Sequence, residues 1–211
     1  MPENYQLKLD KELARIVAEG RRPRLLLHVC CAPCSSYVLE YLNQYFDITA
    51  YFYNPNIAPA GEYEYRANEL IRLTHELPIT NPVACHIADY DPSAFQSIAK
   101  GLENEPEGGE RCTACYRLRL TETAKIAAAK GYDYFTTTLS ISPLKDAVRL
   151  NTIGGELAAE YGIPYLFSDF KKREGYKRSI QLSNEYDLYR QDYCGCAYSK
   201  AEAIRRNENK K

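Results

Sequence analysis

The chain of 211 residues contains no tryptophan and one methionine, and none of its apolar runs comes near the ~18 residues needed to cross a membrane. That absence excludes a helical membrane protein. An excess of one charge is missing too. The 27 lysines and arginines face 28 aspartates and glutamates, a net −1, so no global positive field announces a nucleic acid and any such partner must meet a local patch. The opening Met-Pro-Glu-Asn-Tyr has neither the basic nor the apolar region of an export signal, and the expectation is a cytoplasmic protein without membrane contact. Internal repeats, low-complexity tracts and long linkers are absent as well. The length suits one domain, read as a helical extension at 1–22, an α/β core at 24–168 and a C-terminal segment at 169–211.

What is abundant is cysteine and tyrosine, eight and nineteen residues. Where thiols stay reduced, clustered cysteines point to metal or redox chemistry rather than to a disulfide framework. Around them the hydrophobic pattern alternates between two periods. Leu9, Leu13, Ile16 and Val17 recur at helical spacing over 5–19 and stop at Gly20. The apolar run Leu25 to Val29 reads as a strand covered on both faces. Helices are expected near 35–45, 62–76, after Pro92, 113–130 and 145–161. Strands are expected at 48–53, 83–87, 134–138 and 164–167. Strands alternating with helices imply a parallel sheet with helices on both faces, a Rossmann-like α/β fold. In such sheets the site lies beyond the carboxyl ends of the strands, and the first strand ends at Cys30-Cys31.

Three cysteine clusters follow. In His28-Val29-Cys30-Cys31-Ala32-Pro33-Cys34, the pair Cys31 and Cys34 sits between a strand and a helix, the setting of a thioredoxin-like redox pair, where a helix N-terminus favours the thiolate. Cys112-Thr113-Ala114-Cys115 opens a helix and presents two thiols on one turn, half of a metal centre. Tyr193-Cys194-Gly195-Cys196 is tighter, with Gly195 relaxing the backbone so that both sulfurs face one side. Four thiolates from Cys30, Cys31, Cys112 and Cys115 satisfy the ligation of a cubane iron–sulfur cluster, provided the chain has already turned after Cys30. Zinc is the competing metal. Cys85, on a strand, reads as core packing, and His28 as a satisfied structural histidine, with a proton donor near the strand end as its second reading.

Charge concentrates once. Lys171, Lys172, Arg173, Lys177 and Arg178, with Glu174 among them, carry a net +4 around Tyr176. Such a stretch is either a solvated face or a site for a phosphate backbone and an unstacked base. Arg111, Arg117 and Arg119 extend the second reading, whereas Arg205, Arg206, Lys210 and Lys211 form a basic tail.

The combination of His28 to Cys34, Tyr53-Asn54-Pro55-Asn56, Arg111 to Leu120, Thr137 to Pro143, Asp169 to Lys172 and Tyr189 to Cys196 resembles the QueH family of epoxyqueuosine reductases, from about Leu25 to Ser199. The resemblance implies a nucleotide-hydrolase-like (HUP-type) Rossmann fold followed by a helical segment that carries the last cysteines. It implies reduction of the epoxide of epoxyqueuosine in the anticodon loop of tRNA, completing queuosine, with electrons from an unidentified donor. It implies a [4Fe-4S] cluster on Cys30, Cys31, Cys112 and Cys115, a redox-active disulfide between Cys194 and Cys196, and Cys34 as a ligand of an additional iron ion. Lys172, Arg173 and Tyr176 are the expected tRNA contacts. The Gly-rich pyrophosphate loop of ATP-using relatives is missing, so no ATP chemistry is expected. The alternatives are a thiol–disulfide oxidoreductase using Cys31 and Cys34, and a zinc-binding RNA-interaction protein.

Overall fold

A computed structural model describes residues 3–208; Lys210 and Lys211 of the basic tail lie outside them. Four strands, β1 (Arg24–His28), β2 (Asp47–Phe52), β3 (Ala84–Ile87) and β4 (Tyr134–Thr137), form one parallel sheet in the order β3-β2-β1-β4. Leu25, Leu26 and Leu27 at its centre are fully buried, as expected where helices cover both faces. Because alternate side chains point to opposite faces, Leu25 and Leu27 join one apolar cluster and Leu26 another.

The first cluster holds the inner faces of α1 (Tyr5–Ala18), α2 (Ala32–Leu42) and α3 (Ala60–Glu76), and Leu182 of α7 (Gly175–Glu185). The second holds those of α5 (Glu110–Ala129) and α6 (Ala147–Tyr161). Caps set several boundaries. Asn4 accepts from the Leu7 amide, Asp146 accepts from the Arg149 amide, and Gly162 ends α6 in the left-handed region. Two short helices complete the chain, α4 (Ser93–Ala99) and α8 (Ala197–Glu208). Among the described residues no helix is long and apolar enough to cross a membrane.

Three boundaries differ from the sequence expectation in ways that matter. Helix α2 begins at Ala32, not Ser35, because extended Cys31 caps it and Pro33 fits the first turn, where its missing N–H is no loss. Helix α5 begins at Glu110, not Thr113, so Cys112 and Cys115 both lie on its first two turns. The strand expected at 164–167 shrinks to one bridge between Phe135 and Tyr165. Pro164 has no N–H to extend a ladder on that edge.

Strand β1 continues to β2 and β3 on one side, and the chain then crosses to β4 on the other. The order therefore reverses between β1 and β4, and their carboxyl ends open the crevice where such folds bind ligands. The segment after β1 is Cys30-Cys31; the one after β4 is a 3-10 turn, Thr138–Ile141.

Helix α7 packs on α2 with almost no clearance. A Cβ added at Gly175 would meet the Phe170 carbonyl oxygen at 2.0 Å and the Tyr37 ring at 2.5 Å. Gly175→Ala is therefore expected to cost about 1–3 kcal/mol from overpacking, read as a lowered urea midpoint. Gly61→Ala, with open space around the added carbon, serves as the control and leaves the midpoint unchanged or raised.

Candidate metal and redox site

At the crevice the Cys30, Cys31 and Cys34 sulfurs all lie within 4.8 Å of one another, and the first two are 3.8 Å apart. Local geometry explains the gathering. Cys31 is extended at the N-cap of α2, and its carbonyl accepts from the Ser35 hydroxyl at 2.8 Å and the Ser35 amide at 3.1 Å. Adjacent Cys30 and Cys31 thus face one side because the strand ends at His28. Thr138 joins from the 3-10 turn after β4: its hydroxyl accepts from the Cys30 amide at 3.3 Å and lies 3.5 Å from the Cys30 sulfur. Hydrogen bonds from Cys31 and Cys34, then Thr138 and the Arg119 charge, hold the Cys30 thiol well below its ordinary range. Cys31 and Cys34, donating to that sulfur, are pushed up.

The remaining cluster residues form an adjoining lobe. Cys112, Cys115, Cys194 and Cys196 line a small cavity with Asn56, Arg111, Tyr116 and Arg119. Burial pushes the Cys115 thiol up to about 12 and raises Cys112 as well. Cys194 also lines the larger cleft of about 240 Å³ that holds Cys30, Cys31 and Cys34, and so joins the two lobes. The Cys194–Cys196 loop is pinned to α3 and the segment before it: the Ala58 amide donates to the Gly195 carbonyl at 3.0 Å, and Arg66 of α3 donates to the Cys194 carbonyl at 3.3 Å. Gly195 has φ +118, and a Cβ there would press within 3.0 Å of Arg66 and Ile57. All eight cysteines are free thiols, Cys194 and Cys196 included. Cys85 stays outside both lobes, with its sulfur 3.4 Å from the Thr74 hydroxyl.

Several expectations change at this point. His28 is fully buried and neutral. Its Nε2–H donates to the Tyr53 carbonyl at 3.1 Å, while Nδ1, 2.8 Å from the Thr137 hydroxyl, accepts from it. Burial, aided by the Arg119 charge, lowers its pKa to about 3. It is a structural residue and holds no spare proton to donate.

Arg111 and Arg119 are each 1% exposed and extend no surface patch, while exposed Arg117 pairs with Glu156. Arg111 instead binds the carbonyls of Leu102, Glu103 and Glu105, which shapes the loop leading into Cys112.

The basic stretch is largely compensated: Lys171 pairs with Asp169, Arg173 with Asp10, Lys177 with Glu174 and Arg178 with Glu40. Lys172 is exposed and has no carboxylate partner among the described residues. Of Lys172, Arg173 and Tyr176, Tyr176 lines the cleft, with Arg190 over its ring at 5.9 Å.

Three side chains to which the sequence assigned no role also belong to the site, one of them, Asn54, within the Tyr53-Asn54-Pro55-Asn56 motif. Asn54, 1% exposed, donates to the Val29 carbonyl at 2.9 Å and accepts from Arg119 at 3.1 Å. Arg66, nearly buried, is paired with Glu62. Lys145, 7% exposed, lines the cleft beside Cys194 and pairs with Glu107 at 3.3 Å. Although burial opposes it, the facing Cys194 side chain and the Glu107 carboxylate hold the Lys145 pKa well above its ordinary value.

Seven thiols at the switch point of a parallel sheet, with cations buried among them, define a cysteine-based α/β protein equipped for soft-metal or redox chemistry. The family follows from comparison. Residues 25–202 match the family model described as "Epoxyqueuosine reductase QueH", and the chain belongs to that family. A Staphylococcus epidermidis protein of that name is 44% identical over 207 residues, 93% of this chain and 86% of the relative. One from Haemophilus influenzae is 41% identical over 83% and 71%, and one from Thermotoga maritima 33% identical over 84% and 91%. The fold is shared with a solved structure described as a predicted subunit of tRNA methyltransferase from Methanocaldococcus jannaschii. Its TM-score is 0.51 at 14% identity, covering 78% of this chain and 75% of that one.

Burial of neutral His28 has a consequence for stability. Its folded pKa of about 3 lies below the unfolded value of about 6.5, so the unfolded chain binds the extra proton between those values. The contribution is fully present above about pH 6.5 and declines on acidification by about 1.4 kcal/mol per pH unit. Urea unfolding of metal-free protein at pH 7, 6 and 5 is expected to show this loss. His28→Gln should start less stable and lose about one proton's worth of the slope; an unchanged slope would contradict the assignment.

Proposed function

We propose that this protein reduces the epoxide of epoxyqueuosine in the anticodon loop of tRNA to give queuosine. The observation that carries the reading is the meeting of Cys30, Cys31, Cys34 and Cys194 in one cleft at the β1/β4 switch point, in a chain of the epoxyqueuosine reductase family. The residues fit a [4Fe-4S] cluster in two respects. The donors are soft thiols, Cys30 with Cys31 in one lobe and Cys112 with Cys115 in the other, suited to iron–sulfur ligation. Among them Arg119 is buried with its Nη2 unpartnered, a cation awaiting an anion. Bound there, the cluster would supply electrons one at a time.

Removing an epoxide oxygen as water takes two electrons and two protons, and this chain's residues divide that work. Cys194 and Cys196 would hold the electron pair as a dithiol and form a short-loop disulfide on giving it up, reset by the cell's electron donor. Lys145, protonated and facing the cleft beside Cys194, would hold a proton near the leaving oxygen. Cys34, beside Cys30 and Cys31, would ligate an additional iron ion. Tyr176 would stack on an unpaired base at the cleft mouth, with Lys172 and Arg173 meeting phosphates further out.

The thioredoxin-like alternative is disfavoured because Cys30 joins Cys31 and Cys34 within 4.8 Å, making a three-sulfur set rather than an isolated pair. Anaerobic purification tests the metal reading: brown protein with iron and sulfide supports it, and colourless protein with stoichiometric zinc contradicts it. Cys30→Ala, Cys31→Ala, Cys112→Ala or Cys115→Ala is expected to lower iron and sulfide and to abolish formation of queuosine from epoxyqueuosine tRNA. Full iron loading in any one removes that residue from the ligand set.

The cysteine pair separates from the ligands by its phenotype. Cys194→Ser and Cys196→Ser should retain iron and sulfide yet lose turnover, and loss of iron in both would make them ligands instead.

For the tRNA contact, Tyr176→Ala should weaken anticodon stem-loop binding by about 1–3 kcal/mol, whereas Tyr176→Phe leaves it intact. Replacing Lys172 and Arg173 with alanine should reduce the salt dependence of that binding by about 0.7 per lost phosphate contact. Unchanged affinity and slope would make the stretch a solvated face.

A further inference from the structure

Four cationic side chains are buried around the sulfur lobes, and three have carboxylate partners: Arg66 with Glu62, Arg111 with Glu202 and Lys145 with Glu107. Arg119 differs. It is 1% exposed and forms no ion pair with any carboxylate among the described residues. Its Nε donates to the Cys115 carbonyl at 3.4 Å and its Nη1 to the Asn54 side-chain oxygen at 3.1 Å, both neutral acceptors. Its Nη2 is buried and donates to nothing. A guanidinium in that position is strongly destabilising unless negative charge is brought to it. The groups around it that can carry such charge are sulfurs, since it lines the cavity of Cys112, Cys115, Cys194 and Cys196 and its charge couples to Cys115, Cys194 and Cys30.

We infer that Arg119 is a positioning residue that serves as the buried counter-charge of the thiolate-bound group, with its free Nη2–H directed at that group. The inference rests on the iron–sulfur reading above and deepens it. Hydrogen bonds and nearby charge are principal controls of cluster potential. A fixed positive charge stabilises the more negative, reduced form, so its removal lowers the potential. Asn54 keeps the guanidinium in place, because the same side chain is fastened to the Val29 carbonyl one residue before Cys30.

The test is a redox titration of anaerobically reconstituted protein, wild type against Arg119→Gln and Arg119→Lys, followed by visible absorbance and by the magnetic resonance spectrum of the reduced cluster. Arg119→Gln, matched for iron and sulfide, is expected to shift reduction at least tenfold toward the oxidised form, 59 mV lower for a one-electron couple. Arg119→Lys keeps the charge and should recover most of that shift while altering the spectrum. Potentials unchanged in both variants at full loading would overturn the role of Arg119 and leave the cluster reading standing. Wild-type protein that takes up no iron and sulfide would overturn the cluster reading itself, and this inference with it. If neither variant folds, Arg119 is a structural ion, and the inference also fails.

Discussion

The amide of Asn54 is the interaction on which the site depends. Fully enclosed after β2, it donates to the carbonyl of Val29, at the end of β1, and accepts from Arg119 in the middle of α5. Three segments distant in sequence are thereby held in register: the strand end that delivers Cys30 and Cys31, the turn after its neighbour, and the helix that presents Cys112 and Cys115. An amide can do this because it offers a donor and an acceptor in one rigid plane. A carboxylate at this position would satisfy Arg119 but not the carbonyl, and an apolar residue would satisfy neither. Buried polar links of this kind specify an arrangement because every member must be paired.

The fold and the thiol sets could be read from the chain because their signals are local. Three consecutive leucines flanked by Arg24 and His28 are enough for a covered strand, and alternation of the two hydrophobic periods leads to a parallel sheet. From there the reversal of strand order puts the site at Cys30-Cys31. Two helices start earlier than the hydrophobic period implies, because Pro33 and Gly109 stand inside or just before the first turn, positions where they initiate helices rather than interrupt them. The fifth strand is reduced to one bridge because Pro164 withholds the hydrogen bond that apolar content alone implies.

Arg111, Arg117 and Arg119 show why the charged part of the site was harder. Read as a run, they suggest a basic surface. On a helix, residues 117 and 119 are about 200° apart, and α5 turns the first to solvent and the second inward. Composition says nothing about which arginine is enclosed; that depends on Asn54, Cys115 and Cys194, contributed by three other places in the sequence or another turn of the helix. His28 illustrates the same limit. It stands beside the cysteines in sequence, yet Tyr53 and Thr137 take both of its nitrogens.

Helix α8 starts at the residue after Cys196, and its far end reaches back to the entrance of the same loop: Arg206 donates to the Asp192 carbonyl at 3.0 Å and Asn207 to the Asp192 carboxylate at 3.1 Å. The Cys194–Cys196 hairpin is thus clasped at both ends by one exposed helix. For anyone handling the protein, an affinity handle appended behind that helix is not a remote label but a load on the clasp, and recombinant preparations are better marked at the opposite end of the chain.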